Sequence, residues 1–348
     1  MMDDGVYFGL PFETYLAEPR FSSHGVGQMS RSPYDFWARS WMNPNPVDEE
    51  SEFKDKGTAY HTRVVEGREK FMKLYAPELD KEAFAGRDLL VTMDDMKSVL
   101  RRFGLPLGGN KPDLVDRVRA VDPGALIWDS LIEDHAHIHR GKKLLPMKWI
   151  KEMEIAAANI ENHPDLKQCF SGGYPEVSVF WTDEVEAGGG EIIPVKMKSR
   201  FDYVKPKAWL DLKSFGNVQG MRMKRAVARE FANRRYYVQV ATYYRAADRA
   251  RDLAQAGKVA GIDAGAALKL LTPDKTCIFV WQQTVVPVAL GRIYPRALQA
   301  VQIGEIELRD AQEAFARCVS TYGADPWVDQ SPIEEADDNE FPAYLGEG

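Results

Sequence analysis

Cysteine is scarce. Cys169, Cys277 and Cys318 are the only three and lie far apart, so neither a disulfide framework nor a clustered-thiolate metal site is available. No apolar run approaches the roughly 20 residues that a membrane span needs, which excludes a helical membrane protein. No phosphate-binding loop of the Walker kind and no internal repeat occurs, which excludes P-loop hydrolysis and a solenoid. The opening residues, MMDDGVYFGLPFETY, are acidic and lack a signal-peptide core. A reducing cytoplasm is the expected compartment.

Positive charge is also in short supply overall, with a net charge of −7. Its distribution is uneven. Eight acidic residues and no basic one fall in 324–348, so the rest of the chain carries 45 basic and 44 acidic residues. Met221–Arg251 holds nine basic residues against Glu230 and Asp248. A local basic stripe, rather than the total, is the electrostatic footprint of nucleic-acid binding; a solvated helix face has the same composition.

What is present is a composition of 45% hydrophobic and 28% charged residues, ordinary for a globular protein. The informative stretch is Val195–Phe215. Val195, Met197, Phe201 and Tyr203 alternate with Lys196, Lys198, Arg200 and Asp202, the period of a half-buried strand. Pro206 interrupts, and Trp209–Phe215 reads as a second strand. A turn centred between Pro206 and Lys207 places Asp202 opposite Asp211 on one face. Facing side chains are roughly 5 Å apart at Cβ, and like charges there are destabilising without a cation. Lys213 is one such cation. A divalent metal is the better one, since hard oxygen ligands suit Mg²⁺, with Mn²⁺ as the alternative. The Leu212 carbonyl is a further oxygen donor. Two carboxylates on a metal with a lysine beside them is the chemistry of phosphodiester hydrolysis. Solvated charges on a surface hairpin are the competing reading.

Around this hairpin the chain reads as mixed α/β. Ser32 caps a helix with Pro33 at its first position. A helix covers about Phe53–Glu66 and contains His61. Thr92 caps a helix over Met93–Phe103, and Pro112–Val121 is a second helix with Leu114, Val115 and Val118 inward. Pro146–His163 is amphipathic. Tyr174–Trp181 is a strand, with Glu176 near its start. His135, His137 and His139 would suit zinc on a strand but would splay on a helix. Tyr236, Gln239 and Tyr243 share one helix face. An amide between two phenols suits a DNA-facing surface. Thr276–Thr284 is a buried strand, Arg296–Tyr322 a long closing helix, and Trp327 and Phe341–Leu345 are aromatic anchors.

The pattern Asp202…Asp211-Leu-Lys213 resembles the PD-(D/E)xK nuclease core. The order Ser32-Pro-Tyr, Gly57-x-x-x-His61, Gly141-Lys-Lys-Leu-Leu145 leading to His163-Pro164, Glu176, Arg200-x-Asp202, Asp211-x-Lys213 and Tyr236-x-x-Gln239 resembles the RecE (exodeoxyribonuclease VIII) family of phage and prophage exonucleases. The resemblance implies a restriction-endonuclease-like mixed sheet flanked by helices. It implies His61 and Glu176 as additional metal-site residues and Lys213 assisting the attacking water. The three scattered cysteines do not match the iron–sulfur cluster that some nucleases of this superfamily carry. The family also implies 5′→3′ degradation of linear double-stranded DNA with Mg²⁺ in a bacterial host cell. Double-stranded DNA ends, a phage single-strand annealing protein and a ring-shaped homo-oligomer are the partners it suggests.

The departure from that family is MDDMKSVLRRFGLPLGGNKPDLVDRVRAV, which resembles a SAP domain, a helix–extended–helix module that binds DNA. Lys97, Arg101, Arg102, Lys111, Arg117 and Arg119 could meet phosphates there, with Arg101, Arg102 and Lys111 foremost. The expected organisation is 1–89 as the first part of the nuclease domain, 90–121 as the insert, 122–323 as the core and 324–348 as an acidic tail. A non-catalytic DNA-binding protein on a nuclease fold, and a structure-selective or nicking endonuclease, are the rival readings.

Overall fold

The structure, a computed structural model, describes residues 1–47, 52–217, 219–284, 288–328 and 335. Most of the acidic tail, including Phe341–Leu345, lies outside the described residues.

β1 (Gly5–Tyr7) leads into α1 (Phe12–Ala17), α2 (Ser23–Met29) and α3 (Pro33–Arg39). α4 (Glu52–His61) continues into a π-helical turn, Thr62–Glu66, then α5 (Arg68–Leu74) and β2 (Tyr75–Pro77). β3 (Leu89–Leu90), α6 (Met93–Arg102), α7 (Lys111–Val121) and β4 (Leu126–Ile127) make up the insert. α8 (Trp128–Ile138), β5 (Lys143–Leu145) and α9 (Met147–Glu161) precede the long hairpin of β6 (Tyr174–Gly188) and β7 (Glu191–Lys205), followed by β8 (Ala208–Phe215). After α10 (Met223–Asn233) and α11 (Tyr236–Gln255) come β9 (Val259–Ala260), α12 (Ala264–Leu270), β10 (Thr276–Gln283), β11 (Ala289–Tyr294) and α13 (Gln299–Tyr322).

Among the described residues, seven strands form one mixed sheet in the order β11-β10-β8-β7-β6-β1-β9. β8 and β10 are parallel, as are β1 and β9; the other pairs are antiparallel. Helices cover both faces. On one, Val179, Trp181, Met197, Phe201 and Trp209 pack with Val26, Phe36, Val240 and Phe315 from α2, α3, α11 and α13. On the other, Tyr203, Leu210, Leu212 and Val280 pack with Ala59, Phe71, Met153 and Ile160 from α4, α5 and α9. Gly304 lets α13 lie close on α11, since a Cβ there would stand 2.5 Å from the Tyr237 carbonyl. Trp327 is a buried anchor, stacked on Phe36.

Local signals explain the helix ends. The Ser32 side chain accepts from the Asp35 N–H. Thr92 and Asp95 form a reciprocal capping box at α6, as Asn110 and Asp113 do at α7. The insert has its own core of Leu90, Met96, Val99, Leu100, Leu114, Val118 and Ile127. Its base is closed by the pairing of Leu89 with Leu126 and Leu90 with Ile127, so this core reaches past Val121. Among the described residues, no helix is long and apolar enough to cross a membrane.

His135 and His137 lie on α8 and His139 at its end, the helical one of the two alternatives. One reading is corrected. The alternation of β7 breaks at Asp202: Phe201 and Val204 face the first core, whereas Tyr203 packs into the second. The break lies opposite Glu176, whose backbone is left-handed, with φ 57°. For a residue with a Cβ, that conformation costs about 1–3 kcal/mol.

Candidate metal centre and nucleic-acid interface

The β7–β8 register is the one the turn at Pro206 dictates: Lys205 pairs with Ala208, Val204 with Trp209 and Tyr203 with Leu210. The next rung would be Asp202 with Asp211. There the ladder stops, and the Leu212 N–H donates instead to Asp202 Oδ2 at 2.7 Å. Across β6 and β7, Pro175 pairs with Tyr203 and Val177 with Phe201, which sets Glu176 opposite Asp202. Glu176, Asp202 and Asp211 therefore occupy one row across three neighbouring strands.

Cations are interleaved with this row. His61, the last residue of α4, stands between two carboxylates: Nδ1 is 3.2 Å from Glu176 Oε1 and Nε2 is 2.9 Å from Asp202 Oδ2. Burial pulls the imidazole pKa down, but the Asp202 and Glu176 charges outweigh it and raise it to about 9. Lys213 Nζ lies 2.7 Å from Asp211 Oδ2, above the Tyr236 and Phe279 rings at 4.6 and 5.2 Å. Burial opposes its charge; the Asp211 carboxylate more than restores it, so Lys213 stays a firm cation.

The three acids differ. Asp202 is held below the usual carboxylate range: burial works against ionisation, and His61 and then Lys213 overcome it. Glu176 is raised by burial, with His61 opposing. Asp211 is raised to about 6, by burial first and the Asp202 charge second.

The donor set fits a hard divalent cation. Donor atoms of His61, Glu176 and Asp202 lie within 4.8 Å of one another, the sole such group of three among the described residues. Glu176 Oε1 is buried and accepts no hydrogen bond, having only its ion-pair contact with His61, and buried Asp211 Oδ2 is met by Lys213. A strand residue points its N–H and C=O to the same side. The Leu212 carbonyl therefore faces the gap into which its N–H bonds Asp202. Asp211 stands outside the group of three and faces Lys213.

Tyr236, Gln239 and Tyr243 form one face of α11, as expected, with Tyr236 and Gln239 partly exposed and Tyr243 buried. The Tyr243 hydroxyl lies 2.6 Å from Asp211 Oδ1 and 3.0 Å from the Arg200 carbonyl. Gln239 Nε2 donates to Asp211 Oδ1 at 3.1 Å and to the Tyr243 oxygen at 2.9 Å. With 3% of its surface exposed, Tyr243 holds Asp211 rather than touching DNA; a buried phenol needs a polar partner, and the carboxylate is that partner. The basic stripe divides likewise. Arg245 and Arg249 are tied to buried Asp183, and Arg235 to Glu307. Arg222, Lys224, Arg225 and Arg229, at α10, are exposed.

On the insert, Arg101, Arg102 and Arg119 are exposed. Lys111 is paired with Asp129 at 2.6 Å and Lys97 with Asp94 at 3.7 Å. Arg117 is removed from the phosphate-binding set, because its guanidinium donates to the Pro106 and Gly108 carbonyls and shapes the extended loop. His135 Nε2 is 2.7 Å from the Pro77 carbonyl, and His137 contacts Arg140. Sequence reasoning gave Arg200 no role, although it pairs with Glu176. Its apolar–polar parity was visible; its partner across the sheet was not.

Comparison with known proteins identifies one module. Residues 90–121 match the SAP domain; the chain carries this DNA-binding module and therefore has a nucleic-acid-binding part. No curated protein matches the chain. Among solved structures, one described as "Crystal structure of SSO0001" is 11% identical over 67% of this chain and 80% of that chain, with a TM-score of 0.23.

Proposed function

We propose that this chain is a divalent-metal-dependent deoxyribonuclease of the RecE-like PD-(D/E)xK kind, acting on ends of linear double-stranded DNA. The carrying observation is the row Glu176–Asp202–Asp211, with His61 between two of the acids and Lys213 against the third. Three carboxylates on adjacent strands repel one another, and a chain keeps them together where a cation is to be held.

Asp202, Glu176, His61 and the Leu212 carbonyl would hold Mg²⁺ or Mn²⁺, with Asp211 adjoining. The bound ion would supply charge neutralisation at the scissile phosphate and a lowered water pKa. Lys213, fixed over two aromatic rings, stabilises negative charge on the attacking water and the phosphate. Tyr243 and Gln239 keep the Asp211 oxygens oriented. Arg101 and Arg102 of the SAP module, with the exposed cations of α10, bind duplex phosphates without reading sequence. Attack at the end of a strand, 5′→3′, in phage recombination beside a single-strand annealing protein is the setting proposed, with a ring-shaped homo-oligomer as the assembly.

A time course with Mg²⁺ on linear and covalently closed duplexes tests this. Loss of the linear form alone is expected. Nicking of the closed circle would make the protein an endonuclease, and binding without cleavage of either would make it a non-catalytic DNA-binding protein.

A further inference from the structure

We propose that Arg200 is a positioning residue that aims the Glu176 carboxylate into the cation site. This inference rests on the metal-dependent reading above. Glu176 sits opposite Asp202 with a left-handed backbone, a conformation that persists where the surroundings over-determine it. Arg200 ties down the side chain of that residue. Its side chain is 8% exposed, and it lies on β7 opposite Ser178, two residues from Asp202.

Two of the three guanidinium nitrogens are engaged. Nε donates to Glu176 Oε2. Nη1 donates to Ser178 Oγ at 2.9 Å and to the Leu10 carbonyl at 3.0 Å. The plane lies 5.5 Å from the Tyr15 ring and 5.8 Å from the Phe12 ring. The fork is thus fixed before any ligand arrives. By engaging Oε2 it leaves Oε1, the oxygen facing His61 and accepting no hydrogen bond, as the one presented to a cation. A lysine would keep the charge but not the three fixed directions.

The test measures Mn²⁺ binding by calorimetry on DNA-free protein, alongside steady-state cleavage, for wild type, Arg200→Gln, Arg200→Lys, Glu176→Gln and the Arg200→Gln/Glu176→Gln double variant. Loss of a group that orients a metal ligand typically weakens metal affinity or activity about 10- to 100-fold. Arg200→Gln is expected to show that loss in Mn²⁺ affinity and in kcat, with KM for DNA unchanged. Arg200→Lys should recover only part of it, and it covers the case in which Arg200→Gln does not fold. The double variant should bind Mn²⁺ no more weakly than the worse single variant, because both changes disable one oxygen. Additive losses, or wild-type Mn²⁺ affinity in Arg200→Gln and Arg200→Lys, would overturn the positioning role and leave Arg200 as a strut for α1. A wild-type protein that binds no Mn²⁺ would instead overturn the metal reading itself, and the inference with it.

Discussion

Asp202 Oδ2 accepts the backbone N–H of Leu212 at 2.7 Å, one rung beyond the last paired residues of β7 and β8. A side chain has taken the place of a strand-to-strand hydrogen bond. The two strands can then part without leaving that buried N–H unsatisfied, and the gap is where the carboxylate row and the Leu212 carbonyl meet.

Asp211→Asn should abolish cleavage while leaving DNA binding near wild type. The substitution keeps the shape and removes the charge that faces Lys213, and the SAP module is untouched. Cleavage and filter binding on the same preparation check this. Retention of most activity would remove Asp211 from the site.

Lys213→Met should lower turnover by roughly 10²-fold or more, the size expected for a preorganised charge near a reacting phosphate. Mn²⁺ affinity should change little. A fall in Mn²⁺ affinity as large as the fall in turnover would make Lys213 a structural partner of the acid.

Tyr243→Phe should reduce kcat by about 10- to 100-fold, with KM for DNA unchanged, since the hydroxyl lies 2.6 Å from Asp211 and is buried. A rise in KM at constant kcat would restore Tyr243 to the DNA-facing surface.

The contrast shows what the sequence could reveal. The β7–β8 register followed from one proline and two alternating strands, and the capping residues Ser32 and Thr92 from local chemistry. Both are short-range effects. The stripe Tyr236–Gln239–Tyr243 was legible as one face, but periodicity does not say which way a polar face turns. That depended on Asp211, distant in sequence, offering the Gln239 amide and the Tyr243 hydroxyl a partner. Glu176 carried no sign of its left-handed backbone, because a glutamate is an ordinary strand-start residue. Arg200 read as the solvent side of a strand until Leu10 and Tyr15 closed over it.

Arg101→Ala combined with Arg102→Ala should lower the slope of log affinity against log salt by roughly 0.9 for each phosphate no longer neutralised, without changing the rate on saturating DNA. Lys111→Ala should add less, because Asp129 already pairs with it. Affinities measured across a salt series decide it; an unchanged slope would leave the insert's DNA binding to other residues.

Lys275 sets a pH dependence away from the site. Burial lowers its pKa from 10.5 to about 7, and Nζ donates to the Lys205 carbonyl. Above pH 7 the folded protein sheds this proton before the unfolded chain does. Its contribution therefore makes stability rise with pH between about 7 and 10.5. In Lys275→Met that contribution should vanish, so wild type should gain stability relative to the variant as pH rises through the window. A gap independent of pH would show that the lysine titrates normally.

The central claim is that His61, Glu176 and Asp202 hold a divalent cation. Anomalous diffraction from crystals grown with Mn²⁺ tests it most directly. The account predicts a peak among these three side chains, with the His61 ring withdrawn from its contacts with one or both acids. A peak elsewhere, or none at Mn²⁺ concentrations that support cleavage, would contradict it.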